Sequence, residues 1–241
     1  MSKKTAVLDF YKQASADYAS HLRSKPYEHY RNASINQALL SSLPSLHKPK
    51  VLDAGCGTGE FVFPLLREKY GKSLQLHGYD LSPDMLAIAR KKFPFARLRS
   101  GPAEKLPYIN NTFDLVISRE TLEHLEHPQQ AVREFYRVLQ PGGCLVVSTP
   151  SWFGLVGPFY WVKRLLKKMQ HIDNWWTPFS LRRTLRQAGF RIDSFTSVCP
   201  FLYHDVLPRS LLPLIRALDR FLLCLPGTRY FGRVLIFRCK K

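Results

Sequence analysis

Apolar positions recur with two different periods along this chain. In residues 5–46 they fall at helical spacing: Tyr11, Ala14 and Tyr18, then Ile35, Ala38, Leu39 and Leu43. From residue 51 onward, short apolar runs alternate with amphipathic stretches. The runs 51–52, 74–79, 96–98, 113–118 and 144–148 predict five strands. Residues 61–70, 83–93 and 128–139 predict helices between them. Gly71 stops the first of these helices. Ser82 stands as the N-cap of the second, with Pro83 in the first helical position. Val132, Phe135, Tyr136 and Leu139 share one side of the third, and Pro141-Gly142-Gly143 then predicts a turn before the fifth strand. Downstream, Thr177-Pro178 opens a helix through residue 188 that Gly189 closes. A strand over 190–198, a helix over 211–225 and a last strand over 234–239 complete the pattern. Residues 151–176 interrupt it and predict an insertion after the fifth strand.

Strands separated by helices imply βαβ units and a largely parallel sheet. Right-handed crossovers bring the C-terminal strand ends to one edge, where ligands of such sheets bind. The expected fold is therefore α/β, a doubly wound, mostly parallel, seven-stranded sheet. A helical cap over residues 1–46 precedes the main domain, 47–241, and residues 151–176 form a lid over it.

The 241 residues allow one α/β domain with additions, and a 45% hydrophobic content with 22% charged residues is that of a folded globule. Charge changes the picture more. The net charge is +18, and the last 91 residues hold 16 Lys/Arg against four Asp/Glu. A surface of this kind attracts anionic lipid, nucleic acid or an acidic substrate, and equally serves solubility alone. The five cysteines form no Cys-x-x-Cys, so neither a disulfide framework nor a metal site is expected. The first residues do not lead into an apolar stretch, and no apolar run reaches the roughly 18 residues that span a bilayer. Cytoplasmic residence, with peripheral contact at a membrane surface, is the expected location.

Candidate chemistry centres on Asp53-Ala54-Gly55-Cys56-Gly57-Thr58-Gly59, between a strand and a helix. Glycines at alternate positions let a ligand approach the backbone, and the helix beyond offers free N–H groups. The same loop is also compatible with a purely structural turn. Asp80 ends the second strand, where a carboxylate can accept both hydroxyls of a ribose. The chain lacks the Gly-x-Gly-x-x-Gly of pyrophosphate-binding loops.

Val51–Gly59 resembles the first motif of class I S-adenosylmethionine-dependent methyltransferases. Gly78-Tyr79-Asp80-Leu81-Ser82-Pro83-Asp84-Met85-Leu86 resembles the second. Ala103-Glu104-Lys105-Leu106-Pro107 and Phe113-Asp114-Leu115-Val116-Ile117-Ser118 resemble the third and fourth. Leu122-Glu123-His124-Leu125 and Arg137-Val138-Leu139-Gln140-Pro141-Gly142-Gly143 continue the match in order. The resemblance implies a Rossmann-like fold and S-adenosylmethionine as cofactor, and it sits closest to the branch of small-molecule and quinone-pathway enzymes. It implies that Asp53, Gly55, Cys56, Gly57 and Gly59 hold the methionine part and Asp80 the ribose. Leu81, Met85, Ala103 and Glu104 would then lie around the adenine, with Ser118 lining the site. Pro102 departs from the aspartate that many relatives carry before the Ala-Glu pair, so adenine recognition must use Glu104 or main chain.

These motifs specify the cofactor better than the acceptor. His124 and Tyr18 are candidate catalytic groups, although His124 is equally a packing histidine and Tyr11 and Tyr18 equally core residues of a helix. Tyr30-Arg31 would reach the cofactor carboxylate or lie on the surface. His171, Trp175 and Trp176 are candidate walls of the acceptor pocket, or a helix-capping cluster. In the insertion, Trp161, Val162, Leu165, Leu166 and Met169 share one helical side, with Lys163, Arg164, Lys167 and Lys168 on another; Arg216 and Arg220 lie among leucines in 211–225. Such helices suit a membrane surface or a lid with a solvated basic side. The functions these features allow are methyl transfer to a small hydrophobic or lipid-linked acceptor, methylation of RNA, and a non-catalytic cofactor-binding partner protein. No RNA-binding module is recognisable, and the fourth strand continues as Ser118-Arg119-Glu120-Thr121, without the Asn/Asp-Pro-Pro-aromatic signature of amino-group methyltransferases.

Overall fold

A computed structural model describes residues 26–152, 174, 176–199, 209–225 and 227–241. Helix α1 (Pro26–Ser42) leads into β1 (Lys50–Ala54), α2 (Phe63–Tyr70), β2 (Gln75–Asp80), α3 (Pro83–Lys92), β3 (Arg97–Ser100) and β4 (Phe113–Arg119). Then follow α4 (Pro128–Val138), β5 (Leu139–Pro150), α5 (Pro178–Gln187), β6 (Arg191–Val198), α6 (Leu212–Cys224) and β7 (Val234–Lys240). The seven strands form one sheet in the order β3-β2-β1-β4-β5-β7-β6. Strands β1 to β5 pair in parallel, and β7 runs antiparallel between β5 and β6. The chain winds outward from β1 to β3, then returns to β4 beside β1. That reversal opens a crevice at the C-terminal ends of β1 and β4.

Both faces of the sheet are covered, which explains why the central strands are continuous apolar runs rather than alternating ones. Leu52, Val116, Leu145 and Phe237 point to the side of α4 and α5, with Val132, Phe135, Leu181 and Leu185. Their neighbours Val51, Ile117, Val146 and Ile236 point to the side of α1 and α2, against Ile35, Leu39, Phe63 and Leu66. The helix starts follow local chemistry. Ser82 accepts from the Met85 N–H at the start of α3, and Thr177 forms a capping box with Ser180 at the start of α5.

One local expectation differs. Pro141-Gly142-Gly143 lies inside β5 rather than before it. Phe113 pairs with Leu139 and Leu115 with Cys144, so residues 140–143 bulge out of the ladder. Gly142 takes φ 75°, and the bulge is sewn to the chain end by Gly142 N–H to Lys241 O and Lys241 N–H to Gly143 O. Of the cap and lid, residues 1–25, 153–173 and 175 lie outside the described residues. No described helix is long and apolar enough to cross a membrane.

Candidate active site

The loop after β1 turns three times through the left-handed region, at Gly55 (φ 85°), Gly57 (φ 53°) and Gly59 (φ 76°). Two of these turns have different uses. A Cβ on Gly55 would stand 2.2 Å from Thr121 Oγ1, so that glycine lets the loop close onto the segment after β4. A Cβ on Gly57 would meet nothing within 4 Å, so the backbone there faces open space that a ligand can occupy. Gly55 and Cys56 donate to the Tyr79 carbonyl, at 2.7 and 3.2 Å, and stitch the loop to β2. Cys56 also packs beneath it: a Cβ on Gly78 would lie 2.9 Å from its Sγ, and burial pushes its thiol pKa up.

Asp80, at the end of β2, is fixed by two backbone donors. Gly57 N–H reaches one carboxylate oxygen at 2.7 Å and Ser82 N–H the other at 2.9 Å. Each oxygen keeps a lone pair for a ligand hydroxyl. Burial raises its pKa, while these amides and the nearby His124 hold it down.

Asp53 is in the opposite condition. It is fully buried, and neither carboxylate oxygen has a hydrogen-bond partner. Burial, followed by the charge of Asp80, pushes its pKa up to about 8, while Arg119 opposes the shift. A buried carboxylate without a donor is costly unless a cationic partner is supplied. Ser118 Oγ, on the next strand, is also fully buried and unpartnered.

Helix α1 closes this edge. Arg31 pairs with Glu120, directly after β4, and lies 3.6 Å from Glu28. Asn32 Oδ1 accepts from Arg119 Nη2 at 2.6 Å, and the Arg119 guanidinium lies 4.2 Å from the centre of the Phe61 ring. Arg31 is thus held by acids of the protein itself. Asn32, Arg119 and Glu120 were not singled out by sequence reasoning. Their one signal was position: Arg119 and Glu120 follow a strand at its ligand-binding end.

The remaining sequence-derived residues distribute as follows. Leu81 is half-buried and Met85 buried, at the turn into α3. Ala103 and Glu104 are buried between β3 and β4, and a Glu104 carboxylate oxygen accepts from His127 N–H at 3.4 Å. His124 is half-buried, with Nε2 3.9 Å from Glu123 Oε1. Glu123 is buried and accepts from Thr149 Oγ1 at 2.9 Å. Burial raises the Glu123 pKa and His124 lowers it. Trp176 is buried in the core with an unpartnered Nε1, and its carbonyl accepts from Trp152 N–H. Tyr18, His171 and Trp175 lie outside the described residues.

The segment carrying this loop, its acidic partner and the β4 edge, residues 52–147, matches the family model described as a methyltransferase domain. These residues form a methyltransferase domain of the class I, S-adenosylmethionine-dependent type. The cofactor of the domain is S-adenosylmethionine. The chain is 35% identical over 134 residues to the demethylmenaquinone methyltransferase of Chlorobaculum parvum, covering 56% of this chain and 54% of that protein. It is 31% identical over 174 residues to 2-methyl-6-phytyl-1,4-hydroquinone methyltransferase 1 of Oryza sativa, covering 69% of this chain and 48% of that one. The chain thus spans about half the length of these curated relatives. Its fold matches a SAM-dependent methyltransferase of Thermotoga maritima with a TM-score of 0.71 at 21% identity, over 98% of this chain and 99% of the other. The residues present fit such a cofactor: an unpartnered buried carboxylate for a cationic group, a fixed Asp80 for a ribose, and open backbone at Gly57 between them.

Proposed function

We propose that this protein transfers a methyl group from S-adenosylmethionine to a small, hydrophobic or lipid-linked acceptor of the hydroquinone type. The observation that carries this reading is its similarity to two relatives named for quinone and phytyl-hydroquinone substrates. S-adenosylmethionine supplies an electrophilic methyl group on a sulfonium. The protein's part is alignment and exclusion of water. In this reading Asp80 and the glycine loop fix the cofactor, and Asp53 in its ionised form faces the cofactor's positive charge. The Arg31–Glu120 pair and the Arg119–Asn32 bond hold α1 over the edge and keep water out.

A phenolic or carbon acceptor must lose a proton. His124 is the group we assign to take it, with Glu123 3.9 Å from its Nε2 and Thr149 orienting the carboxylate. Cytoplasmic residence with access to a membrane surface accords with such an acceptor.

The test uses the purified protein, cofactor carrying a labelled methyl group, and two fractions of a cell extract, lipid and RNA. Label is expected in the lipid fraction. Asp80→Ala is expected to lose it and to weaken cofactor binding at least about tenfold by calorimetry, roughly the worth of a charge-assisted hydrogen-bond site. Label in RNA would replace the acceptor reading. Label in neither fraction, with cofactor binding intact, would favour a non-catalytic partner protein.

A further inference from the structure

Helix α6 has two apolar sides. Ile215 and Asp219, one turn apart, are buried, and Asp219 accepts from Tyr30 Oη of α1 at 2.9 Å. The Arg216 guanidinium covers the Tyr30 ring at 5.2 Å. This side docks α6 on the protein. Leu211, Leu214, Phe221 and Leu225 fall on another side at helical spacing, and all are exposed, Leu214 at 56% and Phe221 at 62%. Large apolar side chains gathered this way on an exposed face mark an interaction surface.

We infer that this face of α6 docks the protein on an anionic lipid bilayer. Charge selects that partner. Arg220, next to Phe221, is exposed, and the helix's one acidic residue, Asp219, is turned inward. From residue 206 to the C-terminus the sequence holds eight Lys/Arg against Asp219 alone. An apolar stripe flanked by an exposed arginine lies in the interfacial plane of a membrane, with the guanidinium at the headgroups. Pairing with a second copy would bring two basic segments together, which disfavours a dimer through this face.

The helix that carries this face is also tied to the site. Tyr30 ties α6 to α1, and the next two residues, Arg31 and Asn32, hold Glu120 and Arg119 at the end of β4. A docked protein would therefore keep its site within one helix of the lipid, where a lipid-linked acceptor resides. Only this consequence rests on the proposed acceptor; the docking itself does not.

The test is flotation of the full chain with vesicles free of any methyl acceptor, either phosphatidylcholine alone or mixed with phosphatidylglycerol. Binding is expected on the anionic vesicles at about 0.1 M salt, and at least about tenfold weaker binding at about 0.5 M. Leu214→Ser with Phe221→Ser should lower vesicle affinity at least about tenfold. Arg220→Gln should weaken binding on anionic vesicles only. Both variants should keep wild-type cofactor affinity by calorimetry, which shows that they fold. Absence of wild-type binding to anionic vesicles would overturn the inference. So would vesicle binding unchanged in the serine variant, or a solution dimer that the serine variant dissolves. Since the vesicles hold no acceptor, these outcomes are independent of whether label transfers to lipid.

Discussion

Asp53 and Asp80 lie close together at the ends of neighbouring strands, yet the backbone treats them differently. Asp80 receives two N–H donors, whereas Asp53 receives none. An ordinary aspartate ionises near pH 4. With its folded pKa raised to about 8, Asp53 keeps a proton in the folded state that the unfolded chain gives up. Its neutral form therefore supports folding fully below about pH 4, and that support is lost as pH rises toward 8. Asp53→Asn should stabilise the cofactor-free protein by about 1–2 kcal/mol at pH 8, the gain shrinking to nothing at pH 4. Denaturant unfolding at the two pH values checks this, and a variant less stable at pH 8 would refute it. The same substitution should weaken cofactor binding. In the wild type, binding near pH 7 should release up to about one proton, seen as buffer-dependent calorimetric heat, and the variant should lose that release.

At the scale of elements, α1 is a connector. Ile35 and Leu39 bury on the sheet, Tyr30 reaches α6, and Arg31 and Asn32 reach the end of β4. Adjacent residues thus serve different neighbours, because successive side chains on a helix diverge by about 100°. Tyr30→Phe keeps the ring under Arg216 but removes one donor from the buried Asp219 carboxylate. It should cost about 1–2 kcal/mol of stability and speed amide exchange in α6. Cofactor affinity should stay within about twofold of wild type, since Arg31 and Asn32 remain; a loss matching that of Asp80→Ala would show that α6 supports the site directly.

For the whole molecule, the matched segment 52–147 contains the cofactor motifs but not a closed fold. β5 pairs with β7 over residues 144–150, and Val234, Leu235, Ile236, Phe237 and Cys239 are at most 1% exposed. Their removal would open an apolar strand edge and uncover both faces of the sheet. A fragment of residues 1–152 should therefore aggregate, or lack a cooperative unfolding transition, despite retaining the glycine loop and Asp80. Sedimentation and thermal unfolding monitored by circular dichroism check this; a soluble, cooperatively folding monomer would show that β6 and β7 are dispensable.

The sequence by itself determined the order of strands and helices, the glycine loop, and Asp80 at the end of β2. Each is written in local chemistry: a period of two or 3.6, a residue able to take positive φ, or a side chain that caps the amide three positions on. Pro141-Gly142-Gly143 shows the limit of such signals. Its glycines do turn the chain, but only the pairing of β5 with β4 and the chain end decided that the turn is a bulge within a strand. The contacts that close the site join residues far apart in sequence: Asn32 with Arg119, Glu123 with Thr149, and Tyr30 with Asp219, 87, 26 and 189 positions apart. Each of these side chains is equally at home in water, so no periodicity marks it. The tertiary structure chose the partners by fixing which surfaces meet, and it left Asp53 buried without one, since desolvation depends on everything packed around a carboxylate rather than on its neighbours in the chain.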